Sequence, residues 1–230
     1  MEQAVAKHGL KLVISSHTRS FLALAHLLES LRVLQEFPQQ EIIVAVGGHY
    51  SLPDYEVERV ENVTYVRCNH NSMSFTGLNM LLDLFHDDED ARYMYVHDTT
   101  RAGPEFLKRL QAIDVSGSSS MKIKTRSSMN MGIYSQRVIN GFEHFLKSKR
   151  NTDPNPATLL RLITYDYAED YLFENDAQNQ VIGDYSGDIS TGPVNYYGNG
   201  VPRIVEYYPA LDLYKMKSNW CETRPRNLDN

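Results

Sequence analysis

A chain of 230 residues with 42% hydrophobic content can bury a sizeable core and lies within the range of one large domain. Its formal charge of −6 argues against sequence-independent binding of nucleic acid, which needs clustered Lys and Arg to displace counterions from phosphates. Cys68 and Cys221, the two cysteines, share no short spacing. Neither a zinc site nor a disulfide framework is therefore expected, and reduced thiols in the cytoplasm fit the pair.

Met1 to Lys11 carries scattered charge and no apolar core, and no apolar run anywhere approaches about 18 residues, so neither a secretion signal nor a membrane span is expected. Lys11 to Ser15 is a short apolar run of strand length. The polar segment Ser16 to Ser20 follows, and then Leu24, Leu27, Leu28, Leu31 and Leu34 recur at spacings of three and four, predicting a helix with one apolar face. Glu41 to Val46 is rich in β-branched residues and ends at Gly47-Gly48, where the chain must turn. Val63 to Arg67 predicts a third strand with Cys68 to Ser72 as its exit loop, and Ser74 to Phe85 a helix through Leu78, Leu81, Leu82 and Phe85. Asp87 to Asp90 is an acidic linker. Arg92 to Val96 is the fourth strand, ended by His97-Asp98-Thr99-Thr100; Pro104 then suits the first turn of a helix through Leu110.

Strands alternating with helices, each strand nearly continuously apolar, predict a mostly parallel α/β sheet covered on both faces. Ligands bind such sheets outside the carboxyl ends of the strands. The loops Ser15 to Arg19, Gly47 to Tyr50, Asn69 to Ser72 and His97 to Thr100 are therefore expected to meet at one site. Beyond residue 150 the pattern changes. Asn151 to Pro156 is turn-forming, Thr158 to Phe173 returns to helical spacing, and residues 183–202 form a Gly-rich stretch expected to be a long lid or acceptor loop.

Asp98 carries the sharpest chemical signal. A carboxylate at the end of a central strand can reach a divalent cation bridging diphosphate oxygens; equally, it can be a turn residue capping the next helix. Glu169-Asp170 is, by its own chemistry, better explained by an exposed acidic pair on an amphipathic helix.

Strand, polar loop, helix, two further strands and a hydrophobic strand closing on an acidic signature resemble the layout of glycosyltransferases of the GT-A fold, which use nucleoside diphosphate sugars. Tyr93 to Thr99 looks like a degenerate form of their DXD motif, with one carboxylate, Asp98, where the motif has two. Ser128 to Ser135 resembles the segment after the metal loop, and Tyr167 to Asp170 resembles the helix that supplies a Glu-Asp general base. The resemblance covers roughly residues 10 to 175 and implies a single domain over 1–230, with a nucleotide-sugar half (1–115) and an acceptor half (116–230). It places Ser15, His17 and Arg19 on the nucleotide, Asn71 and Thr76 on base or sugar, and Asn130 and Gly132 on sugar or acceptor. His97, Asp98 and Thr99 would face the diphosphate, Asp98 directly or through Mn²⁺ or Mg²⁺, and Asp170 with Glu169 would deprotonate a hydroxyl of a glycan acceptor.

A Rossmann dehydrogenase or methyltransferase needs a Gly-rich turn after its first strand, and Ser15 to Arg19 has no glycine. A sugar-nucleotide nucleotidyltransferase and a non-catalytic glycan-binding domain of the same fold remain as alternatives. Tyr207, Tyr208, Leu211, Leu213 and Tyr214 fit packing on the sheet better than stacking on a sugar, and Arg203, Lys215 and Lys217 are candidate diphosphate partners.

Overall fold

The computed structural model describes residues 9–155, 157–158, 168, 170–184, 186–193 and 202–217. In chain order its elements are β1 (Lys11–His17), α1 (Phe21–Arg32), β2 (Ile42–Gly47), β3 (Glu56–Val60), β4 (Val63–Arg67), α2 (Thr76–Leu84), β5 (Arg92–His97), β6 (Thr100–Ala102) and α3 (Phe106–Ala112). They continue with β7 (Ser120–Lys122), β8 (Gly132–Ser135), α4 (Gln136–Gly141), α5 (Glu143–Ser148), α6 (Tyr171–Asn175), β9 (Gln180–Val181), β10 (Gly187–Pro193), β11 (Pro202–Tyr208) and β12 (Leu213–Lys217).

The larger sheet runs β3-β4-β2-β1-β5-β8-β7-β9. Its centre, β4-β2-β1-β5, is parallel throughout, and these are the four strands that the apolar runs predict. Successive side chains of a strand point to opposite faces, and here that alternation sorts the core into two clusters. Leu12 and Ile14, Ile42 and Val44, and Met94 and Val96 join Leu27, Leu31, Phe106 and Leu110 of α1 and α3. Val13, Ile43, Ala45, Tyr93 and Tyr95 join Leu78 and Leu81 of α2, with Ile139, Leu146, Leu172 and Phe173 of α4, α5 and α6. Both faces are thus covered by helices, which is why these strands read as continuous apolar runs.

The outer strands differ from the expected sheet. β8 is antiparallel to β5, and β3 pairs antiparallel with β4 at the opposite edge. All five residues of β3 are exposed, and Arg67 of β4 holds Glu56 and Glu58 at 3.1 and 3.2 Å, charges that suit a solvated edge. A second, antiparallel sheet, β10-β11-β12-β6, was not expected. The Gly-rich stretch 183–202, read from the sequence as one loop, contains β10, which pairs with β11 from Gly187–Tyr207 onward. The glycines that suggest a loop include Gly187, whose φ of 132° is open to glycine and opens the strand. Residues 194–201 lie outside the described ones.

One close approach locks β7, β8 and α6 together. Gly132 has a φ of 151°, and a Cβ there would lie 2.3 Å from the Met121 carbonyl oxygen and 2.8 Å from the Phe173 ring. Gly132→Ala is therefore expected to cost about 1–3 kcal/mol, as overpacking against fixed backbone does. Chemical denaturation measures it, and an unchanged midpoint would show that β7 and β8 can part without cost.

Candidate functional site

From β1 the chain crosses to β2 and β4 on one side, then returns to β5 on the other side of β1. The carboxyl ends of β1 and β5 therefore border the point where strand order reverses, the place where open α/β sheets leave a crevice. A cleft of about 220 Å³ occupies it, lined by Ser15, Ser16, His17 and Ser20 from the β1 side and His97, Asp98 and Thr99 from the β5 side. Asn71, Met73 and Ser74, after β4, and Met129, before β8, complete the wall.

Asp98 sits at its floor, 7% exposed. Its backbone N–H donates to the Ser15 carbonyl at 3.0 Å, continuing the β1–β5 ladder by one residue, and Ser16 Oγ donates to its Oδ2 at 2.8 Å. Burial pushes the carboxyl up to about 6, against hydrogen bonds from Ser16 and Ser20 and the charge of Lys215, which favour ionisation. His97 is held well below the ordinary imidazole value, first by burial and then by Lys215, so it is neutral. Lys215 Nζ lies 3.3 Å from His97 Nδ1 and hydrogen-bonds Thr99 Oγ1. A donor facing Nδ1 puts the imidazole proton on Nε2, which is buried and has no partner among the described residues.

The second sheet explains how Lys215 arrives. β6 begins at Thr100, immediately after the Asp98-Thr99 turn, and pairs with β12 so that Thr100 opposes Lys215. The residue-type pattern marked Lys215 as a diphosphate candidate; its approach to Thr99 depends on a strand pairing that no local pattern shows.

Of the other residues expected at the site, Ser15, His17, Asn71, His97 and Thr99 line the cleft with Asp98. His17 Nδ1 accepts from the Arg19 backbone N–H at 2.8 Å, and burial and Arg19 lower its basicity. Arg19 itself is exposed beside His17 and lies outside the cleft wall. Asn71 is buried, accepts from the Met73 N–H at 3.1 Å and hydrogen-bonds Tyr50, which ties the loop after β2 to the rim. Thr76 does not line the cleft; its Oγ1 accepts from the Ser72 N–H at 2.9 Å and so holds the turn ahead of α2. Gly132 is a packing position, and Asn130 stands behind the wall with its amide nitrogen 2.9 Å from Ser74 Oγ. Ser16, Ser20, Met73, Ser74 and Met129 complete the wall without having been singled out, the serines for want of any motif and the methionines because apolar side chains read as core.

Asp170 lies behind the same wall. It is 1% exposed, and its φ of 66° places it in left-handed conformation just before α6, not within a helix as the spacing of 158–173 suggests. Its carboxylate accepts from Ser128 N–H and Ser128 Oγ, both at 2.6 Å, and from Asn130 N–H at 3.0 Å, with Lys122 Nζ at 3.8 Å. Glu169 and residues 159–167 lie outside the described residues. His70, buried between Tyr55 and Ser72, is a satisfied core histidine whose basicity burial lowers to about 4.

Among the described residues no group of three or more His, Cys, Asp or Glu side chains is placed to hold a metal ion. Among the described residues the cleft offers one carboxylate, one amide, two imidazoles and hydroxyls, a set that fits a hard cation only if a ligand supplies most of its oxygens, as Mg²⁺ at diphosphates allows. No described helix is long and apolar enough to cross a membrane.

Fold and site together define a mixed α/β protein, its large sheet flanked by helices, with a polar cleft at the reversal of strand order. No protein-family model matches the chain, and no curated protein matches it. Among solved structures, the apo-form glycosyltransferase GlyE of Streptococcus pneumoniae TIGR4 is similar at a TM-score of 0.43 and 9% identity, covering 74% of this chain and 44% of that one. The chain thus spans less than half the length of that structure, and at this TM-score the likeness defines no shared activity.

Proposed function

We propose that the protein is a glycosyltransferase that takes a nucleoside diphosphate sugar into the cleft between the ends of β1 and β5 and transfers its sugar to a hydroxyl of a glycan or other acceptor. The observation that carries this reading is the convergence of Ser16, His97, Asp98 and Thr99 at the reversal of strand order, with the Lys215 ammonium on Thr99. The sequence resemblance of Tyr93 to Thr99 to a DXD segment supports it independently.

In the transfer, the bond from the anomeric carbon to the diphosphate oxygen breaks, the bond to the acceptor oxygen forms, and the acceptor's proton passes to a base. The departing diphosphate needs positive charge. Lys215 supplies some of it, and Asp98 would hold a Mn²⁺ or Mg²⁺ ion that neutralises the remainder. The three hydrogen bonds on Asp170 support a role in holding the turn at Ser128 to Asn130 rather than that of the base, a role that Glu169 keeps in this reading.

One observation favours a second reading, a non-catalytic domain that binds its ligand in the same cleft: among the described residues, Asp98 is the single carboxylate in the cleft wall. A panel of nucleoside diphosphate sugars, with and without Mn²⁺, tests both. A donor at a hundred times its Kd is expected to stabilise the protein by about 2.7 kcal/mol. The absence of a thermal shift with every donor would overturn the proposal, and a shift without release of nucleoside diphosphate in the presence of acceptors would favour the binding domain.

A further inference from the structure

Met73 and Met129 share a property that core methionines lack. Both are in left-handed conformation, with φ of 55° and 54°, a region disfavoured for any residue with a Cβ. Strained positions of this kind persist where the surroundings over-determine them, and the surroundings here are specific. The Met73 N–H is taken by Asn71 Oδ1 at 3.1 Å. Met129 is the middle residue of the turn that Asp170 holds from both sides, at Ser128 and at Asn130. The residues flanking each methionine, Ser72 and Ser74, Ser128 and Asn130, are all buried, whereas both methionines are half-buried and line the cleft.

The two turns are also bolted together. Asn130 Nδ2 donates to Ser74 Oγ at 2.9 Å, so the residue after Met129 is bonded to the residue after Met73. The result is a pair of thioethers, a ledge held by linked turns, on the wall of a cleft whose other described lining residues are Ser, His, Asn, Asp and Thr. Thioethers make favourable contacts with aromatic rings, and among the described residues no Phe, Tyr or Trp lines the cleft. A ligand can bring the ring that suits this ledge. A sugar is the poorer match, since its C–H faces are recognised by protein aromatic rings, which the described cleft wall lacks.

We infer that the Met73–Met129 ledge is the surface on which the flat nucleobase of a nucleoside diphosphate lies. The inference rests on the proposed donor site and specifies which part of the donor the cleft holds.

The test uses the intact protein with uridine diphosphate, guanosine diphosphate and, as a probe without a base, inorganic pyrophosphate. Methyl resonances of methionine are followed by NMR and assigned through Met73→Leu and Met129→Leu. On adding the nucleoside diphosphate that binds, both methyls are expected to move upfield through ring current, and pyrophosphate at saturation should not move them so. In parallel, the double variant Met73→Ala/Met129→Ala should bind that nucleoside diphosphate about tenfold or more weakly, while pyrophosphate affinity stays as it was. Because the NMR experiment uses wild-type protein, a variant that fails to fold does not shield the inference. A nucleoside diphosphate that binds without a ring-current shift at either methyl overturns the ledge and leaves the donor reading intact. Binding of neither nucleoside diphosphate to the wild-type protein overturns both.

Discussion

Asp98→Asn is expected to remove the metal-dependent part of donor binding, raising the Kd measured with Mn²⁺ about ten- to hundredfold while leaving the Kd without metal unchanged or lower. The magnitude is that of one lost interaction with a charged partner, about 1.5–3 kcal/mol. The sign without metal follows from the position of the carboxylate, which, when ionised at the floor of the cleft, repels a diphosphate unless a cation lies between them. Because burial places its titration near 6, donor affinity of the wild-type protein should rise between pH 5 and 7 with Mn²⁺ and fall over the same range without it. His97 does not confuse the window, since burial keeps it well below its ordinary value. A diphosphate esterified at both ends has no proton to lose there either. Calorimetric titration across that range reads both slopes, and parallel slopes with and without metal would remove Asp98 from the diphosphate.

The same group leaves a mark on stability. A carboxyl whose value rises from 3.8 to about 6 on folding binds its proton more tightly in the folded state. Its contribution is fully present below about 3.8 and is lost as pH rises through about 6, on the order of 1–3 kcal/mol in all. Asp98→Asn should therefore gain stability over the wild-type protein as pH increases from 4 to 7. A melting-temperature difference that stays flat with pH would mean that the carboxylate is solvated in solution.

What the sequence made legible follows from where each signal is local. The middles of β1, β2 and β5 are covered on both faces, so their central positions must be apolar, and their runs stand out as at Leu12 to Ile14 and Ile42 to Ala45. His97 and Asp98 stand out for the complementary reason, as polar residues directly continuing such a run. β3 was hidden because an exposed edge needs no apolar face, and Glu56 to Val60 satisfies its charges across to Arg67. The second sheet was hidden because β6 and β12, over a hundred residues apart, specify each other only by pairing, and that pairing alone brings Lys215 to Thr99. Asp170 is the subtlest case. Its acidic neighbourhood resembles a catalytic pair, but the donors that surround it come from Ser128 and Asn130, some 40 residues earlier.

Asp170→Ala should accordingly destabilise the protein by about 3–5 kcal/mol, since it strips a buried carboxylate from two backbone N–H groups and a hydroxyl that have no water to turn to. Asp170→Asn is the more telling variant. Ser128 N–H approaches Oδ2 while Ser128 Oγ and Asn130 N–H approach Oδ1, so both oxygens act as acceptors, and an amide must set its NH₂ against at least one donor. If the residue holds the turn, Asn lowers the urea midpoint and weakens donor binding through Met129, and the residual transfer keeps the wild-type pH profile. If the residue is instead the base suggested by resemblance, Asn leaves stability and donor Kd in place, slows transfer by roughly two to four orders of magnitude and abolishes the acid limb of the profile. The present geometry points to the first outcome, because a carboxylate 1% exposed, with each oxygen already accepting from the turn, has no open path to an acceptor hydroxyl.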